Sequence, residues 1–214
     1  MKKYKGAIFD IDGTLLDSMP IWDNVAVIYL ESRGVKPRPG LNDELLKLGG
    51  HEIPQYFRVE YGIKESVDEI KHAIQSLLED FYHNAAPLKD GVISLLEELS
   101  SDGVKMCVAT ATDRYLIKPA LERCGIIDFF ERIFTCGEEK TSKNNPDIYI
   151  RAAKFLGTGI SDTIVFEDAL YAIKSAKKAG FAVAGVYDLA FLENQDEIKG
   201  ICDYYFESLL ELTI

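Results

Sequence analysis

No apolar run in the 214-residue chain approaches the roughly 20 residues that a membrane helix requires. The N-terminus passes straight into a short strand pattern without a signal-peptide core, so a soluble, cytoplasmic protein is expected. Positive charge is in deficit: 24 Lys and Arg stand against 35 Asp and Glu, a net charge of −11. Such a chain lacks the basic footprint that a nucleic-acid backbone needs. It can still take a small phosphorylated molecule, which a metal and one lysine neutralise locally. Cysteine is scarce, and Cys107, Cys124, Cys136 and Cys202 show no paired spacing. They read as buried thiols rather than disulfides or zinc ligands. Of the three histidines, His72 and His83 fall on a polar helical segment with no partner at metal-ligand spacing. His51 differs, because it sits in the Gly-Gly turn Leu48-Gly49-Gly50-His51-Glu52, and side chains on such loops often serve function. The chain has neither an internal repeat nor a low-complexity tract.

What the chain does have is an alternation of strand-like and helix-like segments after residue 88. Val92, Ile93, Leu95, Leu96 and Leu99 form one apolar helical face, closed by Gly103 ahead of a strand at Val104. Pro119 predicts a helix beginning near Lys118 with the proline in its first turn, and Pro146 predicts another whose inward face is Tyr149, Ala152, Ala153 and Leu156. Strands follow at Thr163 to Phe166, Ala182 to Tyr187 and Tyr204 to Phe206. This βα alternation predicts a doubly wound parallel sheet, a Rossmann-like α/β core. Residues 17–87 break the pattern. Ile21 to Arg33, Leu41 to Leu48, His51 to Tyr61 and Ser66 to Asn84 read as amphipathic helices with no strand among them. The expected organisation is therefore an α/β core of residues 1–16 and 88–214 with a helical insertion over 17–87, Pro20 and Pro87 stiffening the two crossings.

Four segments carry chemistry. In Tyr4-Lys5-Gly6-Ala7-Ile8-Phe9-Asp10-Ile11-Asp12-Gly13-Thr14 an apolar strand ends in two carboxylates, which alternation puts on one side. Two anions that close repel unless a cation lies between them. Gly13 permits a sharp turn whose N–H groups could hold an anion. Taken alone, the pattern also suits a strand followed by an ordinary Asp-Gly turn. The strand Val104 to Thr112 ends in hydroxyls at Thr110 and Thr112. Lys143-Asn144-Asn145-Pro146-Asp147 puts a lysine ahead of a helix, and Thr163-Ile164-Val165-Phe166-Glu167-Asp168 ends a strand in two more acids. All four lie at strand ends or just beyond, where ligands bind in such sheets.

In this set and order the segments resemble the four motifs of the haloacid dehalogenase superfamily, and the likeness runs over essentially the whole chain. The resemblance implies that Asp10 is a nucleophile and a metal ligand, and that Asp12 is a general acid/base whose backbone carbonyl also meets the metal. Thr110 becomes a phosphate-binding hydroxyl beside Ala111, and Lys143 a clamp on the phosphoryl group and nucleophile. Asp168 becomes a ligand to Mg²⁺, with Glu167 either touching the metal or supporting it. Ala169 stands where relatives often carry Ser or Thr, and the helical insertion corresponds to the superfamily's cap. The implied activity is Mg²⁺-dependent hydrolysis of a small phosphomonoester, a sugar phosphate or similar metabolite, through an aspartyl phosphate. A cation beside Asp10 should depress the pKa of the nucleophile.

Two alternatives stand beside this. One is a β-phosphoglucomutase-type isomerase, which shares the core motifs but is expected to carry a histidine where this chain has Trp22 and an arginine where it has Glu52. An acid there repels the second phosphate such a mutase must hold, so hydrolysis is favoured. The other is a non-catalytic phosphate-binding module, which should have lost a catalytic residue, whereas each is present. Dehalogenation is disfavoured because dehalogenases lack the acid found at Asp12. His51 is a candidate substrate contact, Trp22 suits either the helical core or a pocket wall, and a monomer is compatible with the sequence.

Overall fold

The computed structural model describes residues 4–45 and 47–211. The chain divides into two compact units, one formed by the stretch up to Met19 together with Ala86 onward, the other by Pro20–Ala85.

In the first unit six parallel strands run in the order β3-β2-β1-β4-β5-β6. They are β1 (Gly6–Phe9), β2 (Lys105–Thr110), β3 (Ile133–Thr135), β4 (Thr163–Glu167), β5 (Ala182–Val186) and β6 (Tyr204–Phe206). Successive strands step outward from β1 to β3, and the chain then returns to the other side of β1. That reversal puts a topological switch point between β1 and β4, and ligands of doubly wound sheets bind at the carboxyl ends of the strands there. The runs GAIF and TIVFE are buried along their whole length, as expected for strands covered on both sides.

The second unit is helical: α1 (Met19–Ser32), α2 (Leu41–Leu45), α3 (Ile53–Glu60) and α4 (Val67–Asn84). Its core gathers Tyr29, Leu30, Leu41, Phe57, Ile63 and Ile70, with Tyr29 stacked on Phe57 at 5.5 Å. Ser66 and Glu69 start α4 with a capping box, each satisfying the other's backbone N–H. The helix expected over Leu41 to Leu48 is observed to Leu45, and Leu46 lies outside the described residues. The division falls at Met19/Pro20 and Ala85/Ala86 because the two crossing segments pair with each other. Leu16 bridges Leu88, the Asp17 N–H donates to the Pro87 carbonyl at 3.0 Å, and the Lys89 N–H donates to Leu15 at 2.9 Å.

The remaining helices flank the sheet: α5 (Val92–Ser101), α6 (Arg114–Arg123), α7 (Cys136–Glu139), α8 (Asp147–Leu156), α9 (Leu170–Lys178) and α10 (Gln195–Ile201). Two expectations need correction, and one strand had no counterpart in the sequence pattern. Ile93 points outward, 48% exposed, while Val92, Leu95, Leu96 and Leu99 are buried. Helix α6 begins at Arg114, with Pro119 in its interior. An interior proline costs ~3 kcal/mol, but Leu116, Ile117 and Leu121 are buried across it, at roughly 1.5–3 kcal/mol each, so the packed face outweighs the break. Strand β3 was not anticipated: three residues behind the charged pair Glu131-Arg132 give too short a period to read.

Candidate active site

The position of Asp10 follows from strand register. Phe9 pairs with Val108 on one side and Phe166 on the other, and its ring stacks on that of Phe166 at 4.5 Å. The Asp10 N–H then donates to the Phe166 carbonyl at 3.0 Å, which brings Asp10 level with Glu167. After Asp10 the chain folds into a tight turn in which the Leu15 and Leu16 N–H groups share the Ile11 carbonyl, at 2.9 and 2.8 Å. Gly13 holds φ +76°, and a Cβ there would come 2.2 Å from Asp168 Oδ2. No side chain fits between turn and carboxylate. The neighbouring Thr14 hydroxyl donates to Asp168 Oδ1 at 3.1 Å.

Asp10, Glu167 and Asp168 are all buried, with oxygens within 4.8 Å of one another. Lys143, 3% exposed, makes ion pairs with both Asp10 and Glu167. The loop that carries it is ordered by bonds of its own. The Thr141 N–H donates to Cys136 at 3.0 Å, and the Asn145 N–H to Ser142 at 3.0 Å. Lys140 takes the left-handed conformation at the end of α7. Glu167 is saturated by protein donors: Lys143 and the Tyr149 hydroxyl (3.0 Å) on Oε1, the Asp168 and Ala169 N–H groups (3.0 and 3.1 Å) on Oε2. Ala169, at the N-cap of α9, offers no side-chain cap.

With all three carboxylates ionised, one ammonium would leave the cluster anionic, and burial resists that state. Burial pushes the Asp10 carboxyl up to about 8, Glu167 and Asp12 adding repulsion against the pull of Lys143. Asp168 is held well above the carboxylate range by burial and by its neighbours Glu167 and Asp10. Burial disfavours the charged form of Lys143, yet Asp10 and Glu167 together hold it well above the ordinary ammonium value. A depressed Asp10 pKa therefore needs more positive charge than Lys143 supplies. A cluster of buried carboxylate oxygens whose ionisation Lys143 alone does not stabilise is a fitting donor set for a hard divalent cation.

Asp12 stands beside this cluster, each oxygen accepting one hydroxyl: Ser18 on Oδ1 at 2.5 Å and Thr112 on Oδ2 at 2.6 Å. Thr110 is fully buried, and its hydroxyl oxygen accepts the Thr112 N–H at 3.1 Å, closing the turn after β2. Ala111 is exposed on that turn. Ser18, Thr14, Thr112 and Tyr149 are contacts that sequence reading did not assign. Tyr149 fits the apolar period of α8, and that period hides its hydroxyl. Thr112 was visible as a strand-end hydroxyl, and Ser18 carries no local signal.

His51 belongs to the helical unit and is exposed there, next to Glu52, whose carboxylate accepts the Gly49 N–H at 2.6 Å. Trp22 donates its indole N–H to the buried Tyr82 hydroxyl at 2.9 Å, with its ring still 39% exposed. His72 is exposed and His83 half-buried on α4. Cys107 is buried, and burial pushes its thiol far up.

The family model for haloacid dehalogenase-like hydrolases matches residues 7–186. The chain belongs to that family. Within it, the chain is 30% identical to the validoxylamine A 7'-phosphate phosphatase of Streptomyces hygroscopicus subsp. limoneus, over 86% of this chain and 85% of the relative. It is 24% identical to a phosphorylated carbohydrates phosphatase of Thermotoga maritima, covering 82% of each. Among solved haloacid dehalogenase-like folds, CbbY of Rhodobacter sphaeroides in complex with phosphate superposes with a TM-score of 0.75 at 22% identity, over 98% of this chain and 96% of that one. No helix among the described residues is long and apolar enough to cross a membrane.

Proposed function

We propose that this hydrolase is a Mg²⁺-dependent phosphatase of small phosphomonoesters, sugar phosphates foremost, working through an aspartyl phosphate on Asp10. The observation that carries the reading is the buried trio Asp10, Glu167 and Asp168 around the single cation Lys143, with a hydroxyl-held carboxylate, Asp12, beside it. The relatives named as phosphatases of phosphorylated carbohydrates and of validoxylamine A 7'-phosphate support a small phosphomonoester as substrate.

Asp10 and Asp168 would hold Mg²⁺ with the Asp12 main-chain carbonyl, and the bound ion supplies charge against the phosphoryl oxygens. Glu167 has its acceptor positions filled by protein donors, so its role is to fix Lys143 rather than to ligate. Asp10 attacks phosphorus in line, and the P–O bond to the alcohol breaks as the Asp10–P bond forms. Asp12 gives its proton to the departing alkoxide, then takes one from the water that cleaves the aspartyl phosphate and regenerates Asp10. Lys143, the Thr110 hydroxyl and the main chain at Ala111 counter charge on the equatorial oxygens, where most of the rate enhancement arises. The helical unit is assigned the part of a cap that selects the alcohol, with His51 a candidate contact.

The test is a phosphate-release assay of the purified protein against a panel of sugar phosphates and other phosphomonoesters, with Mg²⁺ or with EDTA, beside Asp10→Asn. Release that needs Mg²⁺ and is lost in Asp10→Asn is expected. Near-normal turnover by that variant excludes the aspartyl phosphate. Interconversion of β-glucose 1-phosphate and glucose 6-phosphate primed by the bisphosphate, with little phosphate freed, would replace hydrolysis by the mutase reading.

A further inference from the structure

Lys89 is a lysine that the proposed chemistry does not use, yet its ammonium is as fully engaged as that of Lys143. Its three N–H donors meet three acceptors: the Gly13 carbonyl at 2.6 Å, the Tyr187 carbonyl at 2.6 Å and Asp188 Oδ2 at 2.7 Å. An ammonium has three donors and no more. Lys89 is 18% exposed and Asp188 5%, so the pair is largely withdrawn from water. Asp188 is itself fixed, its other oxygen accepting the Ala190 N–H at 3.0 Å and its carbonyl accepting the Gln195 side-chain amide at 3.1 Å. Three segments thus meet on one nitrogen: the turn after the nucleophile strand, the end of β5, and the chain re-entering the α/β unit beside Leu88.

The turn matters because its far side is the wall against Asp168. Gly13 lies so close to Asp168 Oδ2 that no Cβ fits, and Thr14 donates to Asp168 Oδ1. A carbonyl gripped on one side and a carboxylate in contact on the other make the Gly13-Thr14 turn a rigid spacer. We infer that Lys89 is a positioning residue for the metal ligand Asp168, acting through the Gly13 carbonyl, while an Asp188 oxygen accepts another of its N–H groups. The inference rests on the metal-dependent reading above. Partners that orient metal ligands from behind are typically worth 10–100-fold in metal affinity.

Charge and anchoring predict opposite signs, which makes them separable. Lys89→Met frees the Gly13 carbonyl and also leaves Asp188 uncompensated near the acidic cluster. If charge alone mattered, that variant would bind a divalent cation more tightly, and Asp188→Asn more weakly. If Lys89 anchors the turn, Lys89→Met weakens binding about 10–100-fold. Asp188→Asn keeps a side-chain oxygen to accept from Lys89 and so leaves the anchor intact; it then stays near the wild type, and the double variant matches Lys89→Met. The probe is Mn²⁺, titrated calorimetrically into the metal-free protein, with a thermal melt of each variant and the Mg²⁺ dependence of hydrolysis alongside. Lys89→Arg retains the charge but cannot direct three N–H groups from one nitrogen, so it should also bind Mn²⁺ more weakly than the wild type. It serves if the methionine variant does not fold. Unchanged Mn²⁺ affinity in Lys89→Met or Lys89→Arg, a lower melting temperature with no change in affinity, affinities that follow charge alone, or a wild type that binds no Mn²⁺ would each overturn the inference. A wild type that binds Mn²⁺ but releases phosphate from no ester would sink the phosphatase reading and leave this one standing.

Discussion

Asp10→Asn should abolish turnover and yet stabilise the metal-free protein at slightly alkaline pH. The Asp10 carboxyl sits at about 8 against an ordinary 3.8, because burial and the neighbouring carboxylates outweigh the attraction of Lys143. Between those values the folded protein keeps a proton that the unfolded chain has released. The unfolded state then binds fewer protons, so stability falls as pH rises from about 4 to about 8. The penalty is absent below that window and complete above it, where it amounts to a ceiling on the order of 5 kcal/mol. Asparagine is nearly isosteric and carries no charge, so the variant escapes the penalty while Lys143 keeps its bond to Glu167. At pH 8 in EDTA, Asp10→Asn should melt higher than the wild type by several degrees, since ~1 kcal/mol moves the melting temperature of a chain this size by about 2–4 °C. The gap should narrow steadily as the pH falls toward 5. Mg²⁺ should also narrow it, because binding to the native wild type adds stability that the variant, with one ligand weakened, gains less of. Thermal melts followed by circular dichroism from pH 5 to 8.5, with EDTA or Mg²⁺, check this. A variant less stable than the wild type at pH 8 in EDTA, or a difference that does not change with pH, would refute the charge argument.

Asp12→Asn should lower turnover by about 10²–10⁴-fold on alkyl phosphates, the usual cost of losing a general acid/base, and by less on a nitrophenyl ester whose leaving group needs no proton. Equal losses on the two esters in steady-state assays would count against the proton-donor role. Lys143→Met leaves three buried carboxylates without their cation and should destabilise the metal-free protein by about 3–5 kcal/mol, with part of the loss recovered in Mg²⁺. A melting temperature unchanged in EDTA would show that Lys143 is not the counter-charge.

The parallel sheet, β3 apart, was legible because its strands are apolar runs ending in polar residues, and the helical stretch because α3 and α4 carry a clear 3.6 period and no segment there alternates like a strand. The candidate site was legible for the same reason: Asp10, Thr110, Glu167 and Asp168 each terminate or directly follow an apolar run, so alternation and register alone bring them together. What stayed hidden depends on contacts far apart in sequence. Ser18 reaches Asp12 only because the turn after β1 doubles back, and Lys89 reaches Gly13 across 76 residues of chain. Tyr149 shows a different failure. Its ring satisfies the apolar period of α8, and periodicity carries no information about where a ring's hydroxyl points.

The charge balance of the site explains why the hidden contacts cluster where they do. Register sets Asp10 beside Glu167, and Asp168 follows directly, so the sheet itself produces three buried carboxylates that no local sequence rule could have neutralised. Each must be answered by a group delivered from elsewhere, since a buried polar atom without a partner costs about 1–3 kcal/mol and a charged one more. Lys143 comes from the loop before α8, Tyr149 from that helix, and Thr14 from the turn after β1. Lys89 comes from the chain re-entering the unit and answers the fourth acid, Asp188. Lys143 is already shared between Asp10 and Glu167, so it cannot by itself offset both the three carboxylates and a phosphoryl dianion arriving beside them. That arithmetic, rather than the family resemblance alone, makes a divalent cation the natural completion of this site.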